Sequence, residues 1–162
     1  DGATWSSPRP VHADRWTMPA CPVNGPAIAA SGNHVVVAWY TAAGDNPSVK
    51  LARSTDAGDS FDAPVVLDRG APVQGRVAVV TDAQQVVALW VREDAGGQSL
   101  WLARYPPDLS RSLQRIEIAK LQGRGRGTGF PQLALQNGDA YVLWTDVANG
   151  APQLHGARLG MH

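Results

Sequence analysis

Few residues in this sequence have the type and spacing to do chemistry. Glu93-Asp94 places two carboxylates side by side, an arrangement open to acid/base work but also common where a polar turn is simply solvated. Gly123-Arg124-Gly125-Arg126-Gly127-Thr128-Gly129 is a flexible basic loop able to meet an anion. It lacks the Lys-Ser/Thr pair of a phosphate loop, and no dinucleotide-binding strand–helix–strand unit surrounds it. Cys21 is the only cysteine, so neither an internal disulfide nor a multi-cysteine metal site can form. His12, His34, His155 and His162 show no ligand spacing. No metal and no cofactor is therefore expected.

The background that must position these groups is polar-neutral and rich in turns. The 162 residues carry 14 Lys plus Arg against 14 Asp plus Glu, which argues against nucleic acid as the main partner. With 44% hydrophobic residues the chain can bury a core. Its 17 Gly and 12 Pro punctuate it too often for many long helices. No apolar run approaches the ~18 residues of a membrane span. The opening Asp-Gly-Ala-Thr-Trp does not read as a signal peptide.

Three segments superpose on one another. Gly25-Pro26-Ala27-Ile28-Ala29 leads to Val37-Ala38-Trp39, Gly75-Arg76-Val77-Ala78-Val79 to Ala88-Leu89-Trp90, and Phe130-Pro131-Gln132-Leu133-Ala134 to Val142-Leu143-Trp144. Fourteen residues after each tryptophan stands an arginine preceded by alanine: Arg53, Arg104 and Arg158. A period near 50 with this much Gly and Pro predicts propeller blades, not a helical array. Within the units, strands are expected at 26–31, 34–41, 48–54 and 63–68, then 76–81, 84–92, 98–105 and 112–119, then 131–136, 139–146 and 152–159. The second strand of each unit is apolar on both faces, as a strand covered from both sides must be. The fold is expected to be all-β.

Between the third and fourth strands of the first unit lies Ser54-Thr55-Asp56-Ala57-Gly58-Asp59-Ser60-Phe61. Short Ser and Asp side chains can bond nearby backbone N–H groups, Gly58 can take a positive φ, and Phe61 can plug the hairpin base. This octet resembles the Asp-box, or BNR repeat, of the sialidase superfamily, with Ser54, Asp56, Gly58, Ser60 and Phe61 as its structural residues. Asp1-Gly2-Ala3-Thr4-Trp5 resembles the tail of a second box, and Trp5 to Val11 aligns with Phe61 to Leu67. Units two and three have no box. Wider stretches around Cys21 to Pro26 and Ala38 to Asp45 resemble exported bacterial sialidase-like proteins.

The resemblance implies a six-bladed, sialidase-like β-propeller of which about three four-stranded antiparallel blades are present. Residues 1–13 would be the outer strand of a preceding or partner blade. Residues 24–68 would form a blade with its box at 54–61, 75–119 a blade without a box, and 129–159 a blade lacking its outer strand. The missing blades would come from upstream chain or from a homodimer partner. An exported, periplasmic or extracellular location follows from the same resemblance.

Propellers of this kind place ligands at one end of the central channel, opposite the boxes. Mapped onto this chain, that rim carries Asn24, Asp45, Arg76, Glu93, Asp94, Arg124, Arg126 and Asp146. Sialidases clamp a substrate carboxylate with three arginines and use a Tyr–Glu nucleophile pair with an Asp acid/base. Here only Arg76 stands at the arginine position, where the other units have Pro26 and Pro131, and no Arg-Ile-Pro segment occurs. The expectation is a propeller module that is not catalytic by itself and presents loops for a glycan or an envelope protein. The alternative is part of an exo-sialidase-type glycoside hydrolase whose catalytic groups lie upstream or in a partner chain.

Overall fold

The computed structural model describes residues 3–18 and 24–160; Cys21 lies outside the described residues. Eleven strands form among them: β1 (Ala27–Ser31), β2 (His34–Thr41), β3 (Ser48–Ser54), β4 (Val65–Arg69), β5 (Val73–Thr81), β6 (Val86–Asp94), β7 (Gly97–Tyr105), β8 (Gln114–Leu121), β9 (Gln132–Gln136), β10 (Asp139–Ala148) and β11 (Ala151–Leu159). They build three separate antiparallel meanders, β1-β2-β3-β4, β5-β6-β7-β8 and β9-β10-β11. Each of the eleven strands expected within the three units is present, with ends displaced by at most three residues. Among the described residues, two short 3-10 turns interrupt the β structure, at Ala43–Asp45 and Gly125–Thr128.

The sheets stack face to face, and the apolar pattern explains the stacking. Val86 through Val91 of β6 are all buried because alternate side chains enter two different cores. Ala88 and Trp90 join Val36, Ala38, Val49 and Leu51 from the first sheet. Val87, Leu89 and Val91 join Leu100, Leu102, Ala140 and Val142, which ties the second sheet to the third. Trp90, with no exposed surface, is the largest fully buried side chain. The outer faces of the stack keep Ile28 on the first sheet and Tyr141, Leu143 and Leu154 on the third exposed.

The 54–61 hairpin closes on itself through side chains. Ser54 Oγ accepts from Gly58 N at 2.8 Å and donates to Asp56 Oδ1 at 2.6 Å. The Asp56 carboxylate accepts from Ser60 N at 2.9 Å and from Ser60 Oγ at 2.6 Å. Bonds from Ser54 and Ser60 hold this carboxyl well below the usual aspartate range. Gly58 has φ 95°, the conformation that favours glycine. Phe61 is half-buried below the turn.

Residues 3–18 join no ladder. They lie on the first sheet, with the His12 ring 6.1 Å from Trp39, the Trp16 ring edge-on to Tyr40 at 5.6 Å, and Arg9 paired with Asp59 at 3.1 Å. Among the described residues, no helix is long and apolar enough to cross a membrane, and no group of three or more His, Cys, Asp or Glu side chains could hold a metal ion.

Candidate functional site

The segments leading into β1 and β9 and the first residues of β5 converge at one end of the stack. They enclose a pocket of about 300 Å3 lined by Asn24, Gln74, Arg76, Gly125, Arg126, Gly129 and Phe130. Three of the eight residues expected at this rim, Asn24, Arg76 and Arg126, meet there. Asn24 Nδ2 donates to Gln74 O at 2.7 Å, which ties the first loop to the second strand group.

Arg76 is placed by a backbone distortion. The β5–β6 ladder shifts register between Gly75 and Ala78, and Gly75 and Arg76 both take positive φ, 75° and 50°. A Cβ at Gly75 would sit 2.8 Å from Tyr40 Cβ, so only glycine fits. For a non-glycine residue such a φ is strained, and the surroundings must hold it. They do so through the guanidinium, whose Nη1 donates to Thr128 Oγ1 at 2.8 Å and Gly129 O at 3.3 Å, and whose Nη2 donates to Gly125 O at 2.6 Å. Arg76 is 8% exposed. Burial lowers its pKa, with Arg126 adding to the shift and Glu93 opposing it. Its donors are thus turned chiefly to the 125–129 backbone; it shapes the pocket more than it reaches into it.

Glu93, Arg124, Gln98 and Thr128 form a bracing network behind the pocket. Glu93 Oε2 accepts from Gln98 Nε2 and from Gly125 N, while Arg124 pairs with its other oxygen at 3.8 Å. Gln98 Nε2 also donates to Gly125 O, and Thr128 Oγ1 donates to Gln98 Oε1 at 2.6 Å. Arg124 donates further to the carbonyls of Asp94 and Ala95. The Gln98 bond, with help from Gly125 N–H and the nearby arginines, depresses the Glu93 carboxyl against the opposing effect of burial. Glu93 and Asp94 point to different tasks, since Asp94 Oδ1 caps the Gly96 N–H of the β6–β7 turn.

Asp146 is a backbone clamp. Its buried carboxylate accepts from Gln122 N, Gly123 N and Val147 N at 3.1, 2.9 and 2.7 Å. Burial raises its pKa, but these three bonds outweigh it and leave the net value lowered. Asp45 stands apart in the exposed 3-10 turn between β2 and β3 and lines none of this pocket.

Depressed carboxyl values in the native state mean that unfolding takes up protons at low pH. The stabilisation from Asp146 and Glu93 is fully present above the ordinary carboxylate range of about 4 and is lost as pH falls through the lower native values. Amide exchange of residues 122–129 is therefore expected to stay slow from neutral pH to about 5 and to accelerate below about 4, beyond the intrinsic pH effect. Unchanged protection at acid pH would remove Asp146 and Glu93 as the cause of loop order.

Sequence reasoning missed Gln98, Gln74 and Phe130. Gln98 carried a weak signal, a polar residue near the start of a strand with otherwise apolar inward positions. Phe130, 54% exposed beside the loop glycines, gave none apart from its place in the repeat.

No family model matches the sequence, and no curated protein matches it. Solved structures do resemble it in fold. A β-1,2-mannobiose phosphorylase from Listeria innocua, bound to β-1,2-mannobiose, superposes with TM-score 0.54 at 13% identity over 83% of this chain and 39% of its own. An endo-arabinase from Bacteroides thetaiotaomicron gives 0.52 at 13% identity over 83% and 55%. An α-L-arabinofuranosidase from Fusarium graminearum gives 0.52 at 14% identity over 77% and 40%. The chain spans about half or less of the length of these proteins. At such identity the likeness is one of fold: an all-β, propeller-like stack of antiparallel sheets.

Proposed function

We propose that this chain is a sialidase-like, Asp-box propeller module that binds a carboxylate-bearing saccharide at the rim pocket and does not hydrolyse it by itself. The observation that carries this reading is the pocket's composition. Arg126 supplies an exposed guanidinium for a carboxylate, Asn24 and Gln74 supply amide and carbonyl groups for hydroxyls, and Phe130 supplies an exposed ring for a sugar face. Among the described residues, no carboxylate and no tyrosine lines it. The nearest acid in the bracing network, Glu93, is held by Gln98, Gly125 and Arg124, so the two-carboxylate arrangement of glycoside hydrolysis is not assembled there. The carbohydrate-active enzymes among the structural neighbours favour a glycan over a protein ligand.

The exposed Ile28 on the first sheet and Tyr141, Leu143 and Leu154 on the third suit further blades on both sides of the stack, from upstream chain or from a second copy. In that reading the Trp5–Val11 segment, which aligns with the stretch leading into β4, serves as an outer strand of a neighbouring blade. An exported location accompanies it.

Two assays on the same preparation test the function. A fluorogenic sialoside should give no turnover above buffer, whereas turnover abolished by Arg126→Ala would establish the hydrolase alternative. Calorimetric titration with N-acetylneuraminic acid should show binding that Arg126→Ala weakens about tenfold, the value of one charge-assisted hydrogen bond. Equal affinity in the variant would remove the pocket from the account.

A further inference from the structure

At the opposite end of the stack, a cleft of about 690 Å3 opens between the second and third sheets. Its volume falls within the range of about 300–1,000 Å3 typical of small-molecule sites. The β5–β6 turn contributes Asp82, Gln84 and Gln85, the β9–β10 turn contributes Asn137, and Arg104 and Leu113 close the outer side.

The repeat shows how this place differs from its counterparts. Arg53 Nε donates to Asp62 at 2.7 Å, and Arg158 pairs with Asp139. Asp62 N bonds Arg53 O at 2.9 Å, and Leu113 N bonds Arg104 O at 2.8 Å, so Leu113 occupies the place of Asp62. Gln85 and Asp139 each stand five residues before a repeat tryptophan, so Gln85 occupies the place of Asp139. At these two positions the second sheet carries an alkyl chain and an amide where its neighbours carry Asp62 and Asp139.

Gln85 is only 5% exposed. Its Nε2 donates to Gly138 O at 3.2 Å, bridging the two sheets, while its Oε1 is buried with no hydrogen-bond partner. A buried acceptor without a donor is costly, and Gln85 is one of the residues that line the open cleft. The rest of the lining mixes donors and acceptors. Gln84 and Asn137 offer both, Arg104 donates, and Asp82 holds the Gln84 and Gln85 N–H groups with Oδ1. The lining holds one arginine and one aspartate, so its formal charge is zero. Leu113, 37% exposed, adds an apolar surface.

We propose that this cleft is a second carbohydrate site, selective for a neutral, hydroxyl-rich oligosaccharide and separate from the rim pocket. Sugar hydroxyls donate and accept in one group, which matches the amide lining and gives Gln85 Oε1 the donor it lacks. The C–H face of the ring packs on Leu113.

The test is a titration of the chain followed by proton–nitrogen correlation spectra, with β-1,2-mannobiose and arabinotriose as neutral probes and digalacturonate as the acidic one. A neutral probe should shift the Gln85 side-chain NH2 signal and the backbone amides of Gln84, Asn137 and Gly138. Leu113→Ala, and Asn137→Gly, which suits the positive φ of 53° there, should each weaken that response about fivefold. Arg126→Ala should leave it unchanged, so failure of the rim reading and failure of this one are separable. If neither neutral probe moves these signals, or digalacturonate alone does, the proposal is overturned.

Discussion

Asp68→Ala is expected to cost about 3 kcal/mol of folding stability, the penalty for breaking a buried ion pair from one side. Asp68 is the penultimate residue of β4, is 7% exposed, and serves three donors from the neighbouring sheet. Trp90 Nε1 donates to it at 2.8 Å, Arg92 Nη1 approaches at 3.0 Å, and Arg115 Nη2 at 3.0 Å. Arg115 also lies over the Trp90 and Trp101 rings at 5.3 Å and donates to Leu67 O at 3.1 Å. One carboxylate thus pins the outer strand of the first sheet to β6 and β8 of the second. Removing it leaves a fully buried indole N–H without its acceptor and two guanidinium groups facing each other. The partial exposure of both arginines lets water screen them, which keeps the estimate at the lower end of the range of about 3–5 kcal/mol. Urea unfolding measures the loss, and Asp68→Asn, which keeps an acceptor for Trp90, should lose less. A cost below about 1 kcal/mol, typical of surface pairs, would contradict the pinning role.

The second large effect is local. Arg76→Ala removes donors from Thr128 Oγ1, Gly125 O and Gly129 O at once; Gln98 Nε2 still serves Gly125 O, so the loss falls on Gly129 O and on the Thr128 contact. A charged hydrogen-bond donor of this kind is worth about 2 kcal/mol, roughly thirtyfold in the opening equilibrium of the loop. Amide exchange over residues 123–129 should accelerate by that factor, while the β6 and β7 amides keep their protection. Arg76→Lys should not restore it, because a single ammonium cannot span acceptors on both sides of the loop. Exchange rates in the loop equal to those of the unsubstituted chain would show that Gln98 and Glu93 hold it without Arg76.

The strand order was legible because each unit repeats an apolar second strand and a fixed tryptophan-to-arginine spacing. Packing on two faces leaves a continuous run such as Val86–Val91, and turns leave Gly and Pro. Of the residues grouped from the sequence, Asn24, Arg76 and Arg126 line one pocket. What each residue does there was not legible. Glu93 and Asp94 look like a pair in sequence, yet alternation along β6 sends one into the Gln98 network and the other to a turn. Arg76 looked like a ligand contact, yet a bulge at Gly75 aims its guanidinium at backbone carbonyls fifty residues away. Such assignments depend on local irregularities in register, which periodicity does not encode. The Asp68 cluster was invisible for a related reason: its members come from three strands of two sheets and share no spacing.

The segments before β1 and β9 and the first residues of β5 form one pocket, which we propose as the saccharide site. The most direct measurement is chemical-shift mapping of N-acetylneuraminic acid on the intact chain. The largest shifts are expected at Asn24, Arg126, Gly129 and Phe130, with little change at the 54–61 hairpin. Saturation of the titration with those four signals unmoved, or shifts confined to other surfaces, would contradict it.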